Sequence, residues 1–331
     1  MINCQNGGIN CLYSSPSFNN NEFSDGVSLK KWNTLLADDF NPLLNRCIAG
    51  LYSPGSTYKL ITALHAIENK KFNRNKNFLC SGYVSFGNRK FHCWKKEGHG
   101  YLNLHEAIEK SCDCYFYNLA KTLEIDELAT FSSLFSYGKI TGIDIPNELN
   151  GIMPNRKWKI RNRGEKWQKG ETLNTVIGQG FMLSTPLQIT LMTARIATGK
   201  KITPSIISNK KEFENLNINN ENLEFIKSSM FSVVNDSNGT AFNSRLKGYQ
   251  KMAGKTGTSQ VRKISLEERE EGVIKNEELN YKLRDHSIFT CFAPFDNPKY
   301  SLSVVAEHMG SGSKVAAPIA KRIMELALKK Y

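Results

Sequence analysis

Residues 53–69 read SPGSTYKLITALHAIEN. Leu60, Ile61, Leu64 and Ile67 recur at helical spacing behind Pro54, Gly55 and Ser56, residue types that open and cap helices. A helix starting there carries Ser56 in or near its first turn, with Lys59 one turn further along the same face. The hydroxyl and the amine then fall within hydrogen-bonding reach. The helix N-terminus also favours negative charge developing beside the serine. A lysine acts as a base where burial or its neighbours favour the neutral amine, so Ser56 is an activated nucleophile in outline. The same pattern also describes a capping serine beside an ordinary surface lysine, and only partners elsewhere in the chain can separate the two.

The 331 residues suffice for a large core in one or two domains. At 40% hydrophobic and 23% charged the chain is globular, neither disordered nor fibrous. Lys and Arg number 44 against 31 Asp and Glu, a net +13 that points to an anionic partner. The basic residues are scattered, however, as in KKFNRNKN and RKWKIRNRGEKWQK, and read mainly as solvated surface. No recognised nucleic-acid module accompanies them, so a basic nucleic-acid-binding protein is a remote alternative carried by the charge alone, and no nucleic-acid partner is expected. No run of about 18 apolar residues occurs, and Met1 precedes INCQNGGINCLYS instead of a basic and then an apolar segment. Neither an anchor nor an export signal is expected within these residues.

INCQNGGINCLYS reads as two short strands around Asn6-Gly7-Gly8. Residues 14–54 are turn-rich, with a helix expected over Leu29–Leu36, and residues 69–100 form a loop-rich stretch. LNLHEAIEK and YFYNLAKTLEI are two helices meeting at SCDC, and TPLQITLMTARIATG is a third, with Pro186 in its first turn and Gly199 behind it. YQKMAGKTGTSQV, HSIFTCFAPF and YSLSVVAEHM read as strands, and the charged residues 262–285 as a solvated loop or small insertion. SKVAAPIAKRIMELALKKY closes the chain as an amphipathic helix. The expected class is α+β: an antiparallel sheet flanked by helices, with a helical, loop-rich portion of about 57–245 inserted between its first and later strands.

STYK at Ser56, SCD at Ser111 and KTGT at Lys255 together resemble the three motifs of the penicillin-recognising serine enzymes, penicillin-binding proteins and serine β-lactamases. NPLLNRCIAGLYSPGSTYK, KFHCWKKEGHGYLNL, SCDCYFYNLA, TLNTVIGQGFMLSTPLQI, AGKTGTSQV and LRDHSIFTCFAPFDNP are similar to the transpeptidase domain of class B penicillin-binding proteins of the rod-elongation type. The resemblance covers nearly the whole chain. It implies the penicillin-binding protein/serine β-lactamase-like fold over residues 1–331 and a serine-type D-Ala-D-Ala transpeptidase or carboxypeptidase. Such an enzyme cross-links peptidoglycan stem peptides and is acylated by β-lactams. Ser56 would attack the penultimate D-Ala carbonyl and Lys59 take its proton. Ser111 would relay a proton, and Asp113 stands where the wider superfamily usually has Asn. Lys255 and Thr256 would hold the substrate carboxylate with help from Thr258, and the N–H groups of Ser56 and Thr258 would form the oxyanion hole. Gly257 would let the substrate backbone lie close to the strand.

The nearest alternatives are a β-lactamase, imitated by the E-x-x-N of Glu171 to Asn174, and a non-enzymatic β-lactam sensor. Taken singly, Ser111 could cap a helix and Lys255 could be an ordinary edge-strand lysine. Relative to class B proteins the chain is expected to be N-terminally truncated. In full length it would face the periplasm from the bacterial inner membrane, beside elongation-complex membrane proteins. Finally, Cys80, Cys93, His99 and Cys112 make a Cys3His set for a structural zinc ion, with Cys114 as a substitute ligand. Their separations of twelve, five and twelve residues are loose. The resemblance strengthens the set, since some members carry a metal between this loop and the middle residue of the S-x-D motif, which here is Cys112. A Cys80–Cys93 disulfide or four unrelated buried side chains are the alternatives.

Overall fold

The structure, a computed structural model, describes all residues except 70–71, 208–211, 263, 266–267, 269–272 and 331. The chain begins with β1 (Ile2–Asn3), α1 (Leu29–Leu36) and α2 (Arg46–Ala49), then a 3-10 turn, Gly55–Thr57, that leads into α3 (Lys59–Glu68). Four short strands follow, β2 (Phe78–Cys80), β3 (Tyr83–Phe86), β4 (Arg89–His92) and β5 (Gly100–Leu102). Next come the helices α4 (Leu104–Glu109), α5 (Asp113–Ala120), α6 (Ile125–Ser132), α7 (Arg156–Arg163), α8 (Lys169–Thr175), α9 (Pro186–Thr198) and α10 (Asn220–Asn235). The last third holds β6 (Ala253–Ser259), β7 (His286–Ala293), β8 (Tyr300–Ala306) and α11 (Ala316–Lys330). Among the described residues no helix is long and apolar enough to cross a membrane.

Local chemistry accounts for most helix ends. Ser28 caps α1, while Thr185 and Gln188 form a capping box around Pro186 at the start of α9. Gly199 closes α9 in the left-handed conformation, φ 69°. The opening reversal is narrower than the expected pair of strands: Ile2 bridges Ile9 across Gly7, but only Ile2–Asn3 forms a strand. Residues 69–100 differ from the loop-rich expectation too. There β2 pairs with β5, and β3 with β4, in two ribbons of three or four residues per strand, too short for a period of two to show in the sequence. The described part of 262–285 is exposed or half-buried; residues 263, 266–267 and 269–272 of that stretch lie outside the described residues.

The main sheet has the order β1-β8-β7-β6, antiparallel throughout. On one face α9 packs through Thr193 Oγ1 to Thr290 Oγ1 at 2.6 Å and Ser301 Oγ to Thr190 O at 2.9 Å. On the other, the Ala316 N–H at the head of α11 donates to Ser287 Oγ at 3.0 Å. With both faces covered, β7 is a continuous buried run, Ile288, Phe289, Cys291, Phe292 and Ala293, instead of an alternating one. α3 is likewise surrounded, with every residue from Lys59 to Ile67 buried.

β6 is an edge strand, and the Gly55–Thr57 turn lies against it. A Cβ on Gly55, whose φ is +55°, would sit 2.5 Å from Thr258 O. A Cβ on Gly257 would sit 3.0 Å from Thr57 Cγ2 and 3.1 Å from Pro54 O. Both glycines thus admit the close approach of two segments of this chain. We expect Gly55→Ala to cost about 1–3 kcal/mol in urea denaturation. Gly26→Ala is the control: its φ is +89°, but nothing lies within 4 Å of the added carbon, so it carries backbone strain without the clash. Equal losses in the two variants would contradict the contact.

Candidate active site

The S-C-D turn joins two helices. Ser111 adopts a left-handed φ of +53° after α4, and Cys112 is the N-cap of α5, so Asp113 opens that helix. This reversal brings Ser111 and Asp113 to the buried start of α3. Lys59 Nζ donates to Asp113 Oδ1 at 2.7 Å, to Ser111 O at 2.9 Å and, at 3.4 Å, to Ser111 Oγ. From the edge strand, Lys255 Nζ donates to the same Ser111 Oγ at 2.8 Å and to Thr256 O at 3.1 Å. Asp113 Oδ2 accepts the Trp94 N–H at 2.9 Å. Three motifs distant in sequence therefore meet on the Ser111 hydroxyl.

Both lysine side chains are fully buried, and the one carboxylate beside them, Asp113, is paired with Lys59. Burial, and then the charge on Lys59, holds Lys255 well below the ordinary lysine range. Burial raises Asp113, with the Lys59 charge pulling it back. The site thus favours an ion pair of Lys59 with Asp113 and a neutral amine on Lys255.

Ser56 lies half-buried in the 3-10 turn, and its hydroxyl has no hydrogen-bond partner among the described residues. The expected Ser56–Lys59 hydrogen bond is not made, because Lys59 directs its donors to Asp113 and Ser111. Lys255 also differs from the expectation of a direct grip on a carboxylate, being enclosed and hydrogen-bonded to Ser111. Thr258 is half-buried, and Thr256 Oγ1 lies 2.8 Å from Thr240 Oγ1. Sequence reading missed Thr240, and it missed Gln179, whose Nε2 donates to Thr258 O at 3.0 Å while Gly178 O accepts the Gly55 N–H at 2.9 Å. The Gly-Gln-Gly of VIGQG was the available signal. Glu171 is committed elsewhere: its carboxylate pairs with Lys159 and accepts the Gln168 N–H at the start of α8.

Beside Asp113 the Sγ atoms of Cys80, Cys93 and Cys112 and a ring nitrogen of His99 all lie within 4.8 Å of one another. His99 Nδ1 is 3.5 Å from Cys80 Sγ and 3.6 Å from Cys93 Sγ. A hydrogen bond from the Cys112 thiol, with smaller help from the Gly82 backbone and His99, draws Cys80 down to about 5 against the effect of burial. Cys114 lies against Cys93 but outside this set, and all eight cysteines are free, so Cys80 and Cys93 form no disulfide. A zinc ion with bonds of about 2.3 Å to sulfur needs tetrahedral donors about 3.8 Å apart, and these residues fit it.

Lysine, serine and aspartate meet beneath a serine turn at a sheet edge, the residue types a serine acyl-transfer site uses. Residues 1–325 match the penicillin binding protein transpeptidase domain family, and the chain belongs to it. It is 36% identical to the peptidoglycan D,D-transpeptidase MrdA of Acinetobacter baumannii over 96% of this chain and 49% of that protein. It is 34% identical to the MrdA of Haemophilus influenzae over 99% of this chain and 52% of that protein. The chain thus spans about half the length of the curated relatives it matches. Among solved structures, penicillin-binding protein 2 of Helicobacter pylori in complex with MreC superposes with a TM-score of 0.88 at 35% identity, over 99% of this chain and 59% of that one. Penicillin-binding protein 2 of Pseudomonas aeruginosa in complex with WCK 5153 gives 0.87 at 33%, over 99% and 72%.

Lys255 carries a stability prediction. Its folded pKa lies well below the ordinary lysine value of 10.5, so between the two the unfolded chain binds the extra proton and stability rises with pH. Lys255→Met should therefore raise the melting temperature by a few °C, roughly one kcal/mol or more, near neutral pH. The gain should shrink as pH approaches 10.5. Calorimetry at both ends of that window checks the sign, and a gain that grows with pH contradicts it.

Proposed function

We propose that this chain is the acyl-transfer unit of a peptidoglycan D,D-transpeptidase. The observation that carries the reading is Ser111 Oγ bonded to both Lys59 and Lys255 next to the Ser56 turn. In the proposed reaction Ser56 Oγ attacks the penultimate D-Ala carbonyl carbon of a stem peptide, and Lys59, having handed its own proton to the Asp113 carboxylate that burial makes easier to protonate, receives the serine proton. Ser111 passes a proton to the leaving amine as the amide C–N bond breaks and terminal D-Ala departs. The ester on Ser56 is then attacked by an amine of a second stem peptide, which restores the serine hydroxyl and leaves a cross-link. Thr256 and Thr258 bind the substrate carboxylate, and Lys255 acts through Ser111. Gln179 and the glycine contact hold Thr258 against the turn, so that the N–H groups of Ser56 and Thr258 converge on the oxyanion. β-Lactams, which carry a carboxylate beside a strained amide, are expected to acylate Ser56 in the same way.

Hydrolytic turnover is disfavoured by the occupied carboxylate of Glu171. We expect a fluorescent penicillin to label Ser56 alone, with labelling lost in Ser56→Ala and Lys59→Ala and slowed about tenfold or more in Thr256→Ala. The adduct should be long-lived. Labelling that survives Ser56→Ala refutes the nucleophile, and rapid release of hydrolysed penicillin makes the chain a β-lactamase.

Cys80, Cys93, His99 and Cys112 would hold a structural zinc ion. Bound there, it would tie β2, the segment after β4 and the N-cap of α5 together without meeting substrate. Protein purified without a histidine tag should contain about one zinc per chain, and Cys93→Ser should lose both metal and thermal stability. Less than about a tenth of an equivalent would refute the site. The reading also implies a working position at the periplasmic face of the inner membrane, as part of a longer chain. An MreC-like protein would be a partner, by analogy with the Helicobacter pylori complex.

A further inference from the structure

Trp94 combines two features that do not ordinarily go together. Its side chain is 60% exposed, yet its indole nitrogen points inward. Nε1–H donates to Ser111 O at 3.1 Å and Lys110 O at 3.2 Å, the last carbonyls after α4, which no following helical turn satisfies. Its backbone N–H donates to Asp113 Oδ2 at 2.9 Å. The groups it holds are the acceptors on which Lys59 rests: Nζ donates to Asp113 Oδ1 at 2.7 Å and Ser111 O at 2.9 Å. Ser111, moreover, keeps a φ of +53° without being glycine, a conformation that persists only where surrounding contacts over-determine it.

From this arrangement the geometry points to Trp94 as a positioning residue of the acyl-transfer site. One residue donates to Ser111 and to Asp113 at once and so fixes the left-handed turn that aims Ser111 Oγ at both lysines. It makes no hydrogen bond to Ser56, Lys59 or Lys255, so it acts through the S-C-D turn. The inference rests on the acyl-transfer reading above. It also gives the neighbouring cysteine cluster a mechanical route to the site, since Cys93 directly precedes Trp94 and the His99 ring meets the indole edge-on at 5.2 Å.

Trp94→Phe keeps an aromatic side chain and the backbone N–H to Asp113, but removes the Nε1–H donor along with the five-membered ring that carries it. Stopped-flow acylation by a fluorescent penicillin should show a limiting first-order rate about five- to tenfold lower, the usual effect of one lost hydrogen bond. The half-saturating concentration, the labelled fraction and the melting temperature should be unchanged. A limiting rate equal to the parent's overturns the proposal. A raised half-saturating concentration with an unchanged limiting rate overturns it in favour of a substrate platform, and a lower labelled fraction or melting point in favour of a merely structural role. If the parent is not labelled at Ser56, the acyl-transfer reading has failed, and a second measurement still decides the Trp94 contact. The variant identifies the Trp94 indole signal in a nitrogen-15 NMR spectrum. In the parent that N–H should exchange with deuterium at least about tenfold more slowly than a free indole. Exchange at the free-indole rate overturns the proposal whatever the acylation result.

Discussion

The ion pair of Lys59 with Asp113 lies buried beneath Ser56, and the arrangement of the surrounding elements follows from it. Removing two charges from water is costly, and the cost is offset only where geometry is good and the remaining donors and acceptors are met. Each element around the site supplies one of those partners. α3 supplies Lys59, the turn between α4 and α5 supplies the Ser111 carbonyl and the Asp113 carboxylate, and Trp94 supplies the donor for the second carboxylate oxygen. Lys255, with no carboxylate left for it, is pushed toward the neutral amine and accommodated on the Ser111 hydroxyl. The positions that share protons are therefore the same ones that bear the electrostatic strain of the fold.

The second constraint is contact between the Ser56 turn and the sheet edge. An open edge strand is ordinarily a liability, because its free N–H and C=O groups invite pairing with another chain. Here the side of β6 facing the turn is occupied by Gly55, Thr57 and Pro54, and the Thr258 carbonyl is taken by Gln179. Glycine at 55 and 257 is what allows backbone to meet backbone at this distance. The cysteine cluster draws residues from three further segments, and one of them, Cys112, is the cap of the helix that carries Asp113.

The sequence by itself determined the α+β class, the helix ends and the three motif positions. These are local matters. Proline at 186, glycine at 199 and an apolar repeat over 60–67 act on their own neighbourhoods, and a serine three residues before a lysine behind Pro-Gly is legible without any long-range partner. The Cys3His set was legible by residue type and came together in space. What only the tertiary structure decided was which donor meets which acceptor. Lys59 could have turned to Ser56 on the same face, but the carboxylate of Asp113, 54 residues on, competes for its ammonium and wins on charge. Lys255 reads as a carboxylate-holding or ordinary edge-strand lysine until folding buries it against the Ser111 hydroxyl. Trp94, Gln179 and Thr240 lie outside the S-x-x-K, S-x-D and K-T-G motifs, and their roles depend on hydrogen bonds to residues 17, 79 and 16 positions away. Local propensity and spacing act within a turn or two, whereas burial and charge pairing are set by whatever the folded chain brings alongside. The locations of the chemistry were accordingly written in the sequence, and its proton-holding partners were settled by packing.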